Sequence, residues 1–144
     1  MTDPVHSDFL PAVLHLVRGI RKRFNVRAAA HDMTYARAQA LVGIAGNEGQ
    51  SQADLAERLD IRTPSMNRTL DHLEQQGLIE RRADPRDKRV RRLFLTPAAH
   101  ERADRITHFT DDLRREVYQG IPPEDLKQAL DVLRRIQRNL DRMD

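Results

Sequence analysis

The most informative part of the sequence is residues 77–96, which read GLIERRADPRDKRVRRLFLT. They predict two short strands, 79–82 and 90–95, around a tip formed by residues 84–87. Proline presets one backbone torsion and aspartate bonds its own backbone, so the Asp-Pro-Arg-Asp tip favours a turn. Six cations lie in the loop between the strands and in its flanks: Arg82, Arg86, Lys88, Arg89, Arg91 and Arg92. Such a hairpin has too little apolar surface to be a core element, so we expect it to reach toward a negatively charged partner.

Two short helices are predicted directly before this hairpin. Ser51, three residues ahead of Asp54, is typical of a helix N-cap. Thr63 and Pro64 begin the next helix, with the threonine as N-cap and the proline in the first turn. Gly77 ends that helix. Two short helices joined by a tight connection form a helix-turn-helix, and the hairpin adds a wing to it.

Longer helices are predicted on both sides of this unit. Apolar residues at three- and four-residue steps indicate a first helix with Ser7 as its cap, and a second helix capped by Thr34. Thr96 and Pro97 begin a fifth helix, and leucines at near-heptad spacing mark a sixth from about Pro123. The predicted fold is therefore mainly α with a small β-wing, a six-helix winged helix-turn-helix.

The ends of the chain carry more apolar surface than one small core can cover. We therefore predict a single domain over 1–144 that forms an obligate homodimer through its N- and C-terminal helices, 7–31 and 97–142. Residues 34–96 then form the winged helix-turn-helix lobe that binds DNA. A monomeric helical bundle is the alternative.

Composition narrows the functional class. The net charge is +3, and residues 62–92 hold nine Lys or Arg against five Asp or Glu, a local excess of four that is typical of a nucleic-acid footprint. Cysteine is absent, which excludes disulfides and thiol chemistry. The sequence also lacks the roughly 18-residue apolar run of a membrane span and a signal-peptide pattern. We expect a cytoplasmic protein without a cofactor.

The helix that begins at Thr63 contains candidates for reading DNA. A recognition helix contacts base edges through its N-terminal residues, where Ser65, Asn67 and Arg68 lie. Arginine can bind guanine O6 and N7, and asparagine can pair with adenine. Thr63, beside free backbone N–H groups, can hold a phosphate. The alternative for Arg68 is a surface ion pair with Asp71.

The wing supplies a second set of candidates. Arg86 at the tip is predicted to enter the minor groove, and Asp84 to aim its guanidinium through a charge-assisted hydrogen bond. Arg89 is predicted to brace Asp84 from the other strand. Lys88 is expected to contact phosphate, as are the arginines at 91 and 92. The alternative is a solvated basic loop.

Four segments resemble the MarR family of bacterial transcriptional regulators: SQADLAERL at 51–59, LDHLEQQGLIER at 70–81, DPRDKR at 84–89 and LTPAA at 95–99. The resemblance implies a homodimer on a pseudo-palindromic operator of double-stranded DNA. It implies a repressor released by a small anionic or phenolic effector, bound in a cleft lined by the first, second and fifth helices. The family's wing motif corresponds to Asp84, Arg86 and Arg89. Candidate effector contacts in those helices are His15, Arg18, Tyr35 and Arg37, with Lys22 and His31 nearby.

Two other interpretations use different residues. His100, Asp104 and His108 follow one another at four-residue steps and could present ligands to a metal ion, although no fourth ligand is apparent. The basic patch could also bind the anionic substrate of a small enzyme. The sequence lacks the glycine-rich phosphate loop or catalytic triad that would favour an enzyme.

Overall fold

The computed structural model describes residues 3–143 and confirms the predicted fold class, a six-helix chain with a two-stranded antiparallel wing. A short 3₁₀ turn that the sequence did not predict, Ala29–His31, follows the first helix. The boundary between two compact units falls after Thr110, inside the fifth helix. The elements in chain order are α1 Pro4–Ala28, α2 Tyr35–Gly46, α3 Gln52–Arg58, α4 Thr63–Gln75, β1 Ile79–Ala83, β2 Arg91–Leu95, α5 Pro97–Val117 and α6 Pro123–Leu140.

The first helix begins earlier than predicted. Its N-cap is Asp3, whose carboxylate accepts a hydrogen bond from the Val5 N–H at 2.9 Å, and Pro4 occupies the first turn. The prediction that Ser7 caps this helix is wrong, because the Asp-Pro pair upstream already supplies a cap and a preset first torsion. Pro11 consequently lies inside the helix and not in its first turn.

The predicted N-caps of α2 and α3 are confirmed, and the N-cap of α4 is shifted by one residue. Thr34 accepts from the Arg37 N–H at 3.2 Å and caps α2, and Ser51 accepts from the Asp54 N–H at 3.0 Å and caps α3. Thr63 is the first residue of α4 and not its N-cap. The cap is Arg62, because its extended backbone already offers the carbonyl that accepts the first helical bond, from Met66 at 2.9 Å.

The apolar stripe of α4 faces the core as its spacing predicted. Met66, Leu70 and Leu73 are fully buried and leave the opposite side of the helix exposed. The fully buried aliphatic side chains of α2, α3 and β2 complete this core: Leu41, Ile44, Leu55 and Leu93. One face of α4 is therefore fixed by burial, and the other is available to a partner.

The wing is anchored by a third backbone segment that the sequence analysis missed. Gly49 N–H donates to the Leu93 carbonyl at 2.8 Å, and Leu93 N–H donates to the Gln50 carbonyl at 3.0 Å. The buried amide of Gln50 donates to the Gly43 carbonyl at 2.8 Å and accepts from Arg58 at 2.6 Å. These bonds tie the start of α3 to the base of the wing.

Gly77 joins α4 to the wing through a left-handed backbone. Its φ is +71°, its N–H donates to the Glu74 carbonyl at 3.0 Å, and the Leu78 N–H donates to the Leu73 carbonyl at 3.0 Å. This is the predicted glycine end of the helix.

We expect Gly77→Ala to lower the free energy of unfolding by about 1–2 kcal/mol, the cost of a left-handed β-carbon. Gly46→Ala is the matched control, since Gly46 is exposed, helical and has nothing within 4 Å of an added β-carbon. Urea unfolding of both variants measures the difference. Equal stabilities would contradict the assignment of strain to the Gly77 backbone.

Among residues 3–143, no helix combines the length and apolar character needed to cross a bilayer.

Candidate nucleic-acid interface

The N-terminal half of α4 presents the predicted polar residues on its exposed side. Thr63, Asn67 and Arg68 are exposed, and Ser65 is half-buried. The Arg68 guanidinium donates to the Ser65 hydroxyl at 3.4 Å, a long bond that leaves most of its donors to the surroundings. The buried Met66 on the opposite side fixes the rotation of the helix that exposes these groups.

Asp71 has a different partner from the one considered in the sequence analysis. It is paired with Arg81 of β1, whose Nε also donates to Glu74 Oε2 at 3.0 Å. The hydrogen bond from Arg81 holds the pKa of Glu74 below its ordinary value, and the bond to Glu74 raises the pKa of Arg81. One arginine thus connects α4 to the wing, and Asp71 is paired with Arg81 and not with Arg68.

The wing tip is organised by Asp84, which is only 8% exposed. One carboxylate oxygen accepts from the Arg86 backbone N–H at 2.7 Å, and the other accepts from Arg92 Nε at 2.6 Å. The prediction that Asp84 orients the Arg86 guanidinium is therefore wrong, because the carboxylate holds the backbone of Arg86. The prediction that Arg89 braces Asp84 is also wrong. Arg89 pairs with Asp87 within the turn at 3.1 Å, and Arg92 is the brace.

These contacts lower the pKa of two wing carboxyls. The Arg86 N–H, followed by Arg92, holds the pKa of Asp84 below its ordinary value, and the hydrogen bond from the Arg89 side chain does the same for Asp87. A depressed carboxyl pKa means that the charged form is preferred in the folded wing. The contribution to wing stability is complete above the unfolded value of about 3.9 and is lost as the pH falls through the folded value.

We expect the carboxyl carbon of Asp84, followed by NMR, to titrate below about 3.9. Arg92→Ala should raise this midpoint, because it removes one of the groups that stabilise the charge. The midpoint should stay below the ordinary value as long as the Arg86 N–H remains bound. A midpoint at or above the ordinary value in the wild-type protein would contradict the observed contacts.

A cleft of about 280 Å³ lies where α3, α4 and the wing meet. It brings together residues that are far apart in sequence: Ser51, Gln52, Thr63, Arg89 and Arg91. The predicted phosphate-binding Thr63 and the wing's Arg89 thus line one surface. Lys88 is exposed in the turn beside Arg89.

Sequence reasoning missed two contacts at this surface. Gln52, the first residue of α3, donates its side-chain amide to the carbonyl oxygen of the Asn67 side chain. The guanidinium of Arg82 lies 4.1 Å from the centre of the Phe94 ring, so this cation is used in packing the wing. The sequence predicts that Gln52 begins one helix and that Asn67 lies near the start of the next, but it does not show that the two side chains meet.

Of the four predicted effector residues, Tyr35 belongs to an aromatic cluster, and the other three lie on α1 and α2. Tyr35 packs edge-on against Phe24 at 5.3 Å, and the guanidinium of Arg21 lies 5.3 Å from the centre of the Tyr35 ring. Phe109 packs on the same Phe24 at 5.2 Å. The sequence analysis missed Arg21 and Phe109, although both lie on helices that it proposed as cleft walls. The remaining candidates are His15 and Arg18, exposed on α1, and Arg37, half-buried on α2.

The possible metal ligands of α5 have other contacts. The His108 ring nitrogen Nδ1 lies 2.8 Å from the Asp104 backbone carbonyl, and His100 Nε2 lies 3.8 Å from Glu48 Oε2. Within residues 3–143, no group of three or more histidine or acidic side chains is arranged to hold a metal ion.

Comparison with known proteins gives one family. Residues 31–90 match the model of the MarR family. The transcriptional regulator PA3341 is 29% identical, superposes with a TM-score of 0.84, and the match covers 92% of this chain and 98% of that one. The transcriptional regulator SlyA is 23% identical with a TM-score of 0.85, covering 92% and 94%. A mutant MarR from E. coli, solved in complex with operator DNA, is 21% identical with a TM-score of 0.80, covering 94% and 99%.

Proposed function

We propose, from the premise that this chain belongs to the MarR family, that it is a transcriptional regulator that binds double-stranded DNA as a homodimer. The observation that carries the proposal is that two exposed elements, the polar side of α4 and the arginine-rich wing, lie side by side on one core. The N-terminal half of α4 displays Asn67 and Arg68, and Arg81 and the Asp84–Arg92 pair fix the arginine-rich wing beside it. The E. coli relative solved with operator DNA has the same fold.

In this proposal α4 lies in the major groove and the wing reaches the adjacent minor groove. Asn67 and Arg68 contact base edges, and Ser65 orients Arg68 through its hydroxyl. Thr63 binds phosphate at the start of the helix, where backbone N–H groups are unpaired. Two subunits place their helices on half-sites about 10 bp apart, one turn of the duplex, so a pseudo-palindromic operator suits the dimer.

The wing residues have separate roles. Arg86 enters the minor groove, while Lys88 and Arg89 bind phosphate, which positions the protein without reading sequence. Asp84 does not contact DNA in this proposal and holds the wing tip in place, because its carboxylate fixes the Arg86 backbone and the Arg92 side chain. A rigid tip loses little conformational entropy on binding, which favours affinity.

Exposed apolar side chains on both terminal helices support the homodimer. On α1 they are Val5, Leu10, Leu14, Leu16 and Val17, and on α6 they are Leu130, Val132, Leu133 and Leu140. Exposed apolar residues along one helix, as on α1 and on α6, are typical of an interaction site. In a two-fold dimer each subunit buries its apolar surface against the same surface of its partner.

We further propose that the regulator is a repressor released by a small anionic or phenolic effector. The aromatic cluster of Phe24, Tyr35 and Phe109, with Arg21 against it, offers an apolar wall and a cation for such a molecule. His15, Arg18 and Arg37 are the remaining polar candidates. The effector must bind more tightly to the state in which the two α4 helices no longer match the half-site spacing.

The test is binding to duplex DNA. Sequences enriched from a randomised duplex library are titrated with the protein at several salt concentrations. We expect affinity to fall steeply as salt rises, because each phosphate contact releases counterions. Arg68→Ala should weaken binding to the enriched sequence by about 1–3 kcal/mol, roughly 5- to 150-fold, and relax selectivity at one base pair.

Arg134→Ala, which removes an exposed arginine of α6 outside the winged lobe, is the matched control and should leave binding unchanged. A wild-type protein that enriches no sequence and shows a flat salt dependence would overturn the proposed function.

A further inference from the structure

The amide of Asn67 is held by a residue outside the recognition helix. Gln52, the half-buried first residue of α3, donates from Nε2 to Asn67 Oδ1, while the Asn67 side chain remains exposed. The contact joins the first residue of α3 to the second turn of α4.

The end of α3 that carries Gln52 is well anchored. Ser51 caps the helix with its hydroxyl and pairs with Arg92 of β2 as an isolated bridge. The preceding Gln50 is buried and bonded to Gly43 and Arg58. Because these bonds fix the backbone that directly precedes it, Gln52 can hold Asn67 in one orientation.

The orientation of this amide decides what it can read. Pairing with adenine requires both halves of the amide, the oxygen to accept from N6 and the nitrogen to donate to N7. In this protein the oxygen faces Gln52 and accepts from it, so the amide is turned with Nδ2 on its other side, and the two hydrogens of Nδ2 are the groups presented to a base. Guanine presents two acceptors in the major groove, O6 and N7, which match a pair of donors.

We propose that Gln52 is a specificity-determining residue, which makes Asn67 select guanine over adenine by holding its carbonyl oxygen toward α3 and presenting its Nδ2 to the base. The proposal rests on the proposed function, since it concerns how the same helix reads DNA. Gln52 acts through Asn67, so it is a positioning residue and its signature is a change in base preference.

The experiment is selection from a randomised duplex library with the full chain, followed by sequencing of the bound DNA. Gln52→Met keeps the length of the side chain and removes its donors. We expect the guanine-to-adenine ratio to fall by about fivefold or more at one base pair of each half-site, because the released Asn67 oxygen can then pair with adenine. Gln52→Glu can only accept, so it should turn the Asn67 amide around and shift the preference toward adenine and cytosine, whose amino groups donate.

Two further variants separate this role from a structural one. In an Asn67→Ala background, Gln52→Met should have no effect on base preference, because the group that it orients is gone. Gln75→Met, at the exposed C-terminal end of α4, should leave the preference unchanged. Thermal unfolding confirms that every variant is folded.

The outcomes are distinguishable. An enriched sequence that is identical for the wild-type protein, Gln52→Met and Gln52→Glu overturns the role of Gln52 while the proposed DNA binding stands. A shift that persists in the Asn67→Ala background also overturns it. A wild-type protein that enriches no sequence overturns both proposals.

Discussion

Replacing Arg86 and Arg89 together with alanine is expected to weaken binding to the enriched duplex by about 2–4 kcal/mol, roughly 30- to 1,000-fold. Arg86 is exposed at the wing tip, and its backbone is held by Asp84 whether or not its side chain is present. The Arg89 side chain is 91% exposed, and its partner Asp87 is itself partly exposed. Exposed ion pairs contribute little to stability, so the loss should fall on DNA binding and leave the fold intact.

Fluorescence anisotropy at several salt concentrations measures this loss, and the salt slope should fall by about one for each phosphate contact removed. Arg114→Ala together with Arg115→Ala is the matched control. Both arginines form exposed ion pairs of the same kind, on α5, with Asp111 and Asp112. Unchanged affinity and slope in the wing variant would place the wing outside the interface.

The wing and α4 could be predicted because their signals are local in the sequence. The Asp-Pro turn specifies a reversal of the chain, and the register that pairs Ile79 with Leu95 follows from the short connection. The buried stripe of α4 follows from the helical period. Both signals are contained within about 20 residues, so they do not depend on the rest of the fold.

The prediction that Arg89 braces Asp84 was wrong because the side chain that reaches Asp84 depends on the register of the hairpin. Asp84 lies opposite Val90, to whose carbonyl its N–H donates, at the last position before the turn. Arg92 is two residues further along β2, and alternate residues of a strand share a face. Arg89 belongs to the turn itself, where its nearest carboxylate is that of Asp87. Arg89 was predicted as the partner because it is closer in sequence. Arg92 is the partner because its side chain lies on the same face of the hairpin as Asp84.

Contacts between distant segments account for the rest of what was missed. The backbone pairing of 49–51 with β2 is too short to give an alternating pattern, and its polar residues are typical of a loop. The contact of Gln52 with Asn67 depends on the angle between α3 and α4, which no local signal specifies. The ion pair of Arg81 with Glu74 could not be predicted either, because the two residues meet only after the chain turns at Gly77.

Substitutions in the apolar row of α6 are expected to have the second large effect, on the association of two subunits. Within the described residues of α6 none is buried, and Leu133 and Leu140 are 42% and 56% exposed. An amphipathic helix with its apolar face open to water gains free energy by covering it. We therefore expect the partner subunit of the proposed homodimer to cover this face.

Leu133→Asp combined with Leu140→Asp is expected to convert the homodimer to monomers, because two carboxylates would have to be buried without partners. A monomer binds one half-site alone and lacks the high effective concentration that a dimer has for the second half-site. Affinity for the full operator should therefore fall by about 100-fold or more. Sedimentation measures the first effect and anisotropy the second. Gln128→Asp, which adds the same charge at an exposed polar position of α6, should change neither. A doubly substituted protein that remains dimeric would place the interface on other residues, and a monomer that binds the operator as tightly as the wild-type protein would remove the need for a dimer.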